Sequence, residues 1–428
     1  MPEPTHPLAI PDFRIYWLSR FAAVLATMAM VVVIGWQVYD VARTDYGMTP
    51  REAAFQLGIL GAVQFVPLAL LTPVSGWVAD RFERRTIARL AQGTDMLIAL
   101  ALGAATASDA LTLPLLFGLS ALHGSVRAFV GPALSAIAPN IVPPALLPRA
   151  IAMSSIAWQS ASVAGPAAGG FLYAAHPSAA YWMAAACLAV SVIGLSFIRP
   201  VVPPPIAGQS HPLRQMADGL SYVRGHRFLL GAITLDLFAV LLGGATALLP
   251  VYARDILMVG PEGLGQLRAA PAVGAAVVAL WFAVKPLHRN VGVKMIWSVA
   301  AFGLATIAFG LSRDMLVSLV ALVALGGFDM LSVYVRSSLV QLHTPDVMRG
   351  RVSAVSGLAI SASNELGELQ SGLAAAFVGP VGAVVFGGVG AVAVAGAWYY
   401  LFPEIKRART FDPPETALPE AVMQEKPA

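Results

Sequence analysis

Seven ionisable side chains stand out because they lie inside long apolar stretches of the chain. The acidic ones are Asp236, Asp329, Glu365 and Glu368, and the basic ones are Arg20, Arg127 and Arg336. A carboxylate takes up and releases a proton, whereas a guanidinium stays charged at any accessible pH. A charge in an apolar medium is costly unless it faces protein or water. We therefore predict that the four carboxylates are candidate proton carriers and that the three arginines are their charge partners.

Two of these carboxylates are close neighbours in "SNELGELQSG". Glu365 and Glu368 are three residues apart and so share one face of a helix. Like charges this close in a low dielectric repel each other. The pair suits a site that binds and releases protons, and it suits a hydrogen-bonded structural pair equally well. Both interpretations stay open.

Motifs of enzymes and metal sites are missing from the sequence. It contains no HExxH, no GxSxG and no phosphate-binding loop, and its seven histidines are scattered. The single cysteine, Cys187, excludes a disulfide framework. We therefore expect neither an enzyme, nor a metal, nor a cofactor. The net charge of +4 is too small to indicate a nucleic-acid partner.

The elements that position the charges are long apolar segments. Of the 428 residues, 57% are hydrophobic and 12% are charged, against about 25% charged in soluble domains. A bilayer-spanning helix needs about 20 mostly apolar residues. That criterion gives twelve spans: 13–39, 54–79, 86–107, 111–137, 148–173, 178–199, 226–252, 262–284, 291–311, 315–341, 350–376 and 380–402. The predicted fold is an all-α membrane protein.

Basic residues predict the orientation of these spans. If twelve spans alternate in direction, every second connection lies on the same face as the two chain ends. Most basic residues lie on that face, including Arg81, Arg84, Arg85 and Arg89 between the second and third spans. The other face has few, namely Arg43, Arg51, Arg254, Arg268 and Arg313. By the positive-inside rule, both termini are cytoplasmic. The N-terminus lacks the pattern of a signal peptide, so we interpret it as a short tail.

The chain divides into halves at its longest polar interruption. We predict a six-helix unit over 1–199, a cytoplasmic linker with an amphipathic helix over 200–225, a second six-helix unit over 226–403, and a disordered tail over 404–428. The halves show faint self-similarity, for example "VYDVA" at 38–42 and "VYARD" at 251–255. Duplicated halves are typical of transporters.

Two short motifs extend this interpretation. "GWVADRFERR" (76–85) resembles the signature loop of the major facilitator superfamily, with Gly76, Asp80, Arg81, Arg84 and Arg85 in place and Glu83 where many members have glycine. "GPAAGG" (165–170) resembles the helix-five motif of drug/proton antiporters, through Gly165, Pro166, Gly169 and Gly170. Longer segments, such as "RAFVGPALSAIAPNIVP", look like the branch that contains enterobactin exporters and macrolide efflux proteins.

The resemblance implies two six-helix bundles around a central cavity lined by helices one, four, seven and ten. It implies that Asp236 and Arg127 face each other across that cavity, which makes Asp236 the first choice of proton carrier and Glu365 or Glu368 the second. It also gives the loop motif a role as a conformational latch, in which Asp80 meets the start of span eleven near Arg349 and Arg351.

We therefore predict a monomeric, proton-coupled exporter of a small amphipathic molecule, a siderophore or a drug-like compound, in a bacterial inner membrane. Its partners are the substrate, protons and the lipid bilayer. An importer or facilitator on the same fold remains an alternative, and so does a membrane sensor that transports nothing. Counterflow without a pH gradient separates the first alternative from an exporter, and binding without flux identifies the second.

Overall fold

The computed structural model describes residues 6–135, 137–200, 212–285, 287 and 289–411. Parts of the predicted linker (201–211) and tail (412–428) lie outside these residues. For 73, 76, 77, 79, 80, 212–215, 346 and 347, only the backbone is described.

The described part of the chain contains ten helical segments that are long and apolar enough to cross a membrane, and it has twelve helices when Leu147–Ala175 is added and the last segment is divided at Gly379. The first six are α1 (Pro11–Thr44), α2 (Pro50–Arg81), α3 (Arg84–Ala107), α4 (Leu113–Ser135), α5 (Leu147–Ala175) and α6 (Ala179–Phe197). The second six are α7 (Arg227–Leu242, continued by short turns to Ile256), α8 (Gly260–Val284), α9 (Val291–Leu311), α10 (Met315–Leu342), α11 (346–378) and α12 (380–401). This confirms the predicted fold class.

The α11–α12 run and α5 differ from the other membrane helices, the first by its length and the second by its polarity. The run Asp346–Leu401 is continuous in hydrogen bonding, but Gly379 has φ 80° and ψ 163° and precedes Pro380. Because 56 residues of helix would be about 84 Å long, far more than a bilayer, the kink separates two spans. Helix α5 is made less apolar by its serines, but its 29 residues are long enough to cross.

An even number of spans places both chain ends on one side, which we call the terminal face. The other side, which carries the α1–α2 and α7–α8 connections, is the opposite face. On the opposite face, α2 begins with a capping box: Glu52 accepts a hydrogen bond from the Thr49 amide at 2.8 Å, and Thr49 Oγ1 accepts one from the Glu52 amide at 3.4 Å. These caps satisfy amides that the helix leaves free.

Helices α1–α6 form one bundle and α7–α12 form the other. In the first, α1 packs on α5 and α6, and α4 packs on α2 and α3. In the second, α10 packs on α8 and α9, while α7 and α9 pack on the α11–α12 run. Small residues bring backbones close within a bundle: a Cβ added at Gly303 would lie 2.6 Å from the carbonyl oxygen of Gly388.

The bundles meet along a seam in which α2 packs on α11 and α5 packs on α8. Glycines again allow the approach. A Cβ at Gly58 would lie 3.0 Å from the Cα of Gly372, and one at Gly170 would lie 2.8 Å from the Cα of Gly265. Because all four glycines lie in the halves of their helices nearer the opposite face, the seam is tightest there.

Helix α7 is not continuous, so the predicted span 226–252 is interrupted. It ends at Leu242 before Gly243 and Gly244, and the chain then makes a 3₁₀ turn and a π-helical turn. A Cβ at Gly244 would lie 2.5 Å from the carbonyl oxygen of Gly367, so α11 occupies the space beside the break. The interruption directs the π-turn residues toward α1.

The linker contributes a helix, Pro212–Gly225, that packs on the start of α11. Arg351 pairs with Asp218 of this helix at 3.4 Å. A Cβ at Gly219 would lie 2.7 Å from the Arg351 carbonyl oxygen, so the two helices are in close contact.

Candidate functional site

The centre of the seam carries an ion pair that joins the two bundles. Arg127 of α4 lies 3.1 Å from a carboxylate oxygen of Glu365 of α11, and 3.5 Å from the side-chain oxygen of Gln64 of α2. The Arg127 side chain is 29% exposed and the Glu365 side chain 10% exposed. The Arg127 side chain is therefore partly exposed, whereas the Glu365 side chain is largely buried.

A second pair lies one helical turn along α11. Glu368 is 3.8 Å from Arg268 of α8, and Arg268 also donates a hydrogen bond to the carbonyl oxygen of Thr246 at 2.9 Å. The absence of a side chain at Gly61 leaves room for Glu368, since a Cβ there would lie 2.8 Å from that of Glu368. We call Arg127, Glu365, Arg268 and Glu368 the seam cluster; its formal charges cancel.

Another ion pair lies wholly inside the second bundle. Asp236 of α7 and Arg336 of α10 are 2.7 Å apart, and their side chains are 7% and 4% exposed. Asp329, one turn from Ser332 on α10, lines the same small cavity as Asp236. The structure does not bring Asp236 to Arg127. The physical reason is that each arginine pairs with a nearer carboxylate. Arg127 pairs with Glu365, and Arg336 pairs with Asp236.

Arg20 stays on its own helix. Its guanidinium donates to the hydroxyl of Tyr16 at 3.0 Å, and that hydroxyl donates to the Leu134 carbonyl oxygen at 3.1 Å. It has no acidic partner among the described residues. The structure therefore places Arg20 near the terminal face, away from the seam cluster.

The predicted latch is described only in part. Only the backbone is described for Gly76 and Asp80, so the predicted contact of the Asp80 carboxylate lies outside the described part of the structure. Arg81 and Arg84 both have interaction partners. Arg85 pairs with Glu83 at 2.8 Å and donates to the Ile198 carbonyl oxygen at 2.5 Å. Glu83, the departure from the motif, therefore orients an arginine that ties the loop to the end of α6.

The helix-five motif faces two neighbours at once. A Cβ at Gly165 would lie 2.7 Å from that of Met28, and one at Gly169 would lie 3.0 Å from the Ala29 Cα, so both glycines admit α1. Gly170 faces the other bundle: a Cβ added there would lie 2.5 Å from the carbonyl oxygen of Pro261. Pro166 lies inside α5, and its carbonyl oxygen faces Gly265. The motif is thus part of the seam.

Sequence reasoning missed a set of ion pairs at the opposite face. Asp40 of α1 pairs with Arg254 at 2.6 Å, and Arg43 pairs with Asp255 at 3.4 Å. The hydroxyl of Tyr39 also donates to Asp255. These crossed pairs, which we call the rim pairs, join α1 to the π-helical turn after α7. The sequence signal that could have indicated these pairs is the similarity of "VYDVA" (38–42), which contains Asp40, to "VYARD" (251–255), which contains Arg254 and Asp255.

A further missed pair lies inside the first bundle. His123 Nδ1 of α4 and a carboxylate oxygen of Asp95 of α3 are 2.6 Å apart, and both side chains are almost fully buried. This contact holds α3 and α4 together at mid-depth. Finding it would have required the register between the two helices, which hydropathy does not supply.

Across the described chain, the fold and the seam define a class: a two-bundle membrane transporter with charged groups on the surface where the bundles meet. Residues 3–425 match the family model described as "Transmembrane secretion effector". The chain belongs to this family, which is part of the major facilitator superfamily.

Named relatives and solved structures agree with this assignment. The enterobactin exporter EntS of Shigella boydii serotype 18 is 26% identical over 410 residues, 95% of each chain, and EntS of Escherichia coli O1:K1 gives the same values. An inward-facing, unoccupied bacterial homolog of the human lysosomal transporter Spinster has a TM-score of 0.71 at 15% identity, covering 92% of this chain and 98% of that one. A D-xylose–proton symporter has a TM-score of 0.68 at 14% identity, with the same coverage.

Proposed function

We propose that the protein is a proton-coupled exporter that moves a small amphipathic molecule out of the cytoplasm across a bacterial inner membrane. The arginine-rich terminal face would be cytoplasmic, with both termini there. The bundles, 1–199 and 226–403, would rock about the seam as a monomer, joined by 200–225. Similarity to enterobactin exporters supports the direction of transport and makes a siderophore the first substrate to test.

The observation that carries the proposal is the Arg127–Glu365 pair. It is the one charged contact at mid-depth, among the described residues, in which the two charges come from different bundles. Rocking therefore separates it, whereas it leaves Asp236–Arg336 intact because both partners move together. Proton affinity changes with conformation only where the charge environment changes with conformation. Of the four predicted carboxylates, Glu365 is thus our proton carrier, with Glu368 as its neighbour.

The cycle begins in the conformation seen here. The rim pairs and the glycine contacts close the opposite face, so the cavity would open toward the cytoplasm. Substrate that enters competes with Glu365 for Arg127, and the pair breaks as the bundles rock. On the periplasmic side, the substrate dissociates from Arg127, and Glu365, now separated from that arginine, accepts a proton. On return, Arg127 displaces the proton into the cytoplasm and the pair re-forms.

The test measures the rate at which enterobactin crosses the membrane of proteoliposomes that contain the protein. A pH gradient imposed across that membrane drives uphill transport. Glu365→Gln preserves shape and removes the titrating charge. A charge-assisted hydrogen bond is worth about 1.5–3 kcal/mol, so uphill transport should fall at least about tenfold while downhill exchange persists. Glu404→Gln is the matched control, since Glu404 pairs with Arg227 at 3.1 Å outside the seam. Uphill transport by Glu365→Gln at the wild-type rate would refute the role of Glu365.

A further inference from the structure

A small cavity inside the second bundle gathers three side-chain oxygen groups. It measures about 10 Å³, which is room for one water-sized particle, and its lining includes Asp236 of α7 and Asp329 and Ser332 of α10. The rest of the lining is apolar. One oxygen of Asp236 binds Arg336, which leaves its other oxygen available to the cavity.

The formal charges around this cavity do not cancel. Asp236 and Asp329 contribute two negative charges, and Arg336 contributes one positive charge. The arginine stays protonated at any accessible pH, so its charge is fixed. The neighbouring stretches of α9 (295–311) and α12 (380–401) contain no acidic or basic residue. On α8, Arg268 is already paired with Glu368 of α11. One negative charge therefore remains uncompensated beside the buried Asp236–Arg336 pair, which is unfavourable at membrane depth.

The third oxygen group is a hydroxyl without a partner. Ser332 is 3% exposed, and its Oγ has no hydrogen-bond partner within the described chain. Buried polar atoms in native proteins are almost always bonded to protein, water or an ion. Ser332 lies three residues after Asp329, on the same face of α10, and so both face the cavity. Two carboxylates and a hydroxyl are hard oxygen donors of the kind that bind hard cations.

We propose that this cavity binds one sodium ion. A monovalent ion neutralises the single excess charge, whereas Ca²⁺ would leave a net positive charge. A proton on one carboxylate would also neutralise the charge, and the test below distinguishes a proton from a sodium ion. Sodium is the smaller of the two common monovalent cations and so fits a space of this size more closely than potassium does. The site lies within one bundle and is independent of the proton step assigned to Glu365.

The test measures binding rather than transport, so it does not depend on the proposed export. The melting temperature of the purified full-length protein in detergent is followed as NaCl replaces KCl at constant ionic strength and pH. A ligand that binds only the folded state raises the melting temperature in a saturable way. We expect stabilisation by NaCl over KCl. Asp329→Asn should abolish it, and Ser332→Ala should raise the half-saturating Na⁺ concentration about tenfold.

Ser337→Ala is the matched control, because Ser337 is an exposed serine on the same helix whose hydroxyl bonds its own backbone at Val333. It should keep the wild-type Na⁺ response. Equal melting temperatures in NaCl and KCl for the wild type would overturn the proposal, as would a full Na⁺ response in Asp329→Asn. Stabilisation by acid alone, without any effect of Na⁺, would mean a proton site instead. If the variants fail to fold, binding of ²²Na⁺ to the wild type decides, with one ion per chain expected.

Discussion

The seam cluster and the Asp236–Arg336 pair use the same chemistry in opposite settings. Arg127 and Glu365 come from different bundles, and their side chains are 29% and 10% exposed. Asp236 and Arg336 come from one bundle and are nearly sealed, at 7% and 4%. A contact across a moving interface is made and broken in each cycle, whereas a contact inside a rigid unit holds that unit together. In the proposed cycle, position relative to the seam, rather than depth in the membrane, decides which charges take part in coupling.

The largest effect on stability is expected inside the bundle. Removing one partner of a buried ion pair leaves the other charge uncompensated, at a cost of about 3–5 kcal/mol. Arg336→Met should therefore destabilise the protein strongly, which thermal unfolding in detergent would show. Arg127→Met, at the partly exposed seam, is the comparison and should lower the melting temperature much less. Equal losses in the two variants would contradict the distinction between the seam and the interior.

A smaller effect is expected from filling the seam. In Gly170→Ala the new Cβ meets the carbonyl oxygen of Pro261 at 2.5 Å, and a backbone atom cannot move aside easily. Overpacking of this kind costs about 1–3 kcal/mol. The cost falls only on the conformation in which α5 and α8 touch, so the population should shift toward opening at the opposite face. Accessibility of a cysteine in the seam to a water-soluble reagent measures the shift.

The control for that substitution is Gly118→Ala, because Gly118 on α4 has open space around it. It should leave the accessibility unchanged. If Gly170→Ala behaved like Gly118→Ala, the α5–α8 contact would not be part of the closed state.

The smallest effect is expected at the rim pairs. Asp40 and Arg254 are 33% and 23% exposed, and exposed ion pairs are worth about 0.2–1 kcal/mol. Asp40→Arg should move the population toward opening at the opposite face by a few-fold. The double exchange Asp40→Arg with Arg254→Asp should reverse much of that shift, measured by the same accessibility assay. A double exchange no better than the single change would mean that the rim pairs do not hold the opposite face closed.

Much of this fold could be predicted from the sequence, because bilayer thickness sets helix length and hydropathy reports it directly. The boundary between α11 and α12 was predicted near 376–380, and Gly379 and Pro380 mark it in the structure. The break after Leu242 was missed, although Gly243 and Gly244 are a visible signal for it.

The partners of the charged residues were harder to predict. Hydropathy gives the depth of a side chain but not which helix it faces, since that depends on helix rotation and on packing between distant segments. Arg127 was therefore predicted to face Asp236, whereas in the structure it pairs with Glu365, and Asp236 pairs with Arg336. The contact of Asp95 with His123 was missed for the same reason.

The most direct test of the central claim is a distance across the opposite face as a function of pH. Spin labels at Tyr46→Cys and Met258→Cys, in a Cys187→Ser background, report it by double electron–electron resonance, because both positions are exposed on connections of different bundles. In the wild type, acidification should increase the population with long distances, since a protonated Glu365 releases Arg127. Glu365→Gln should show the acidic distribution at every pH. A wild-type pH response in Glu365→Gln would contradict the account.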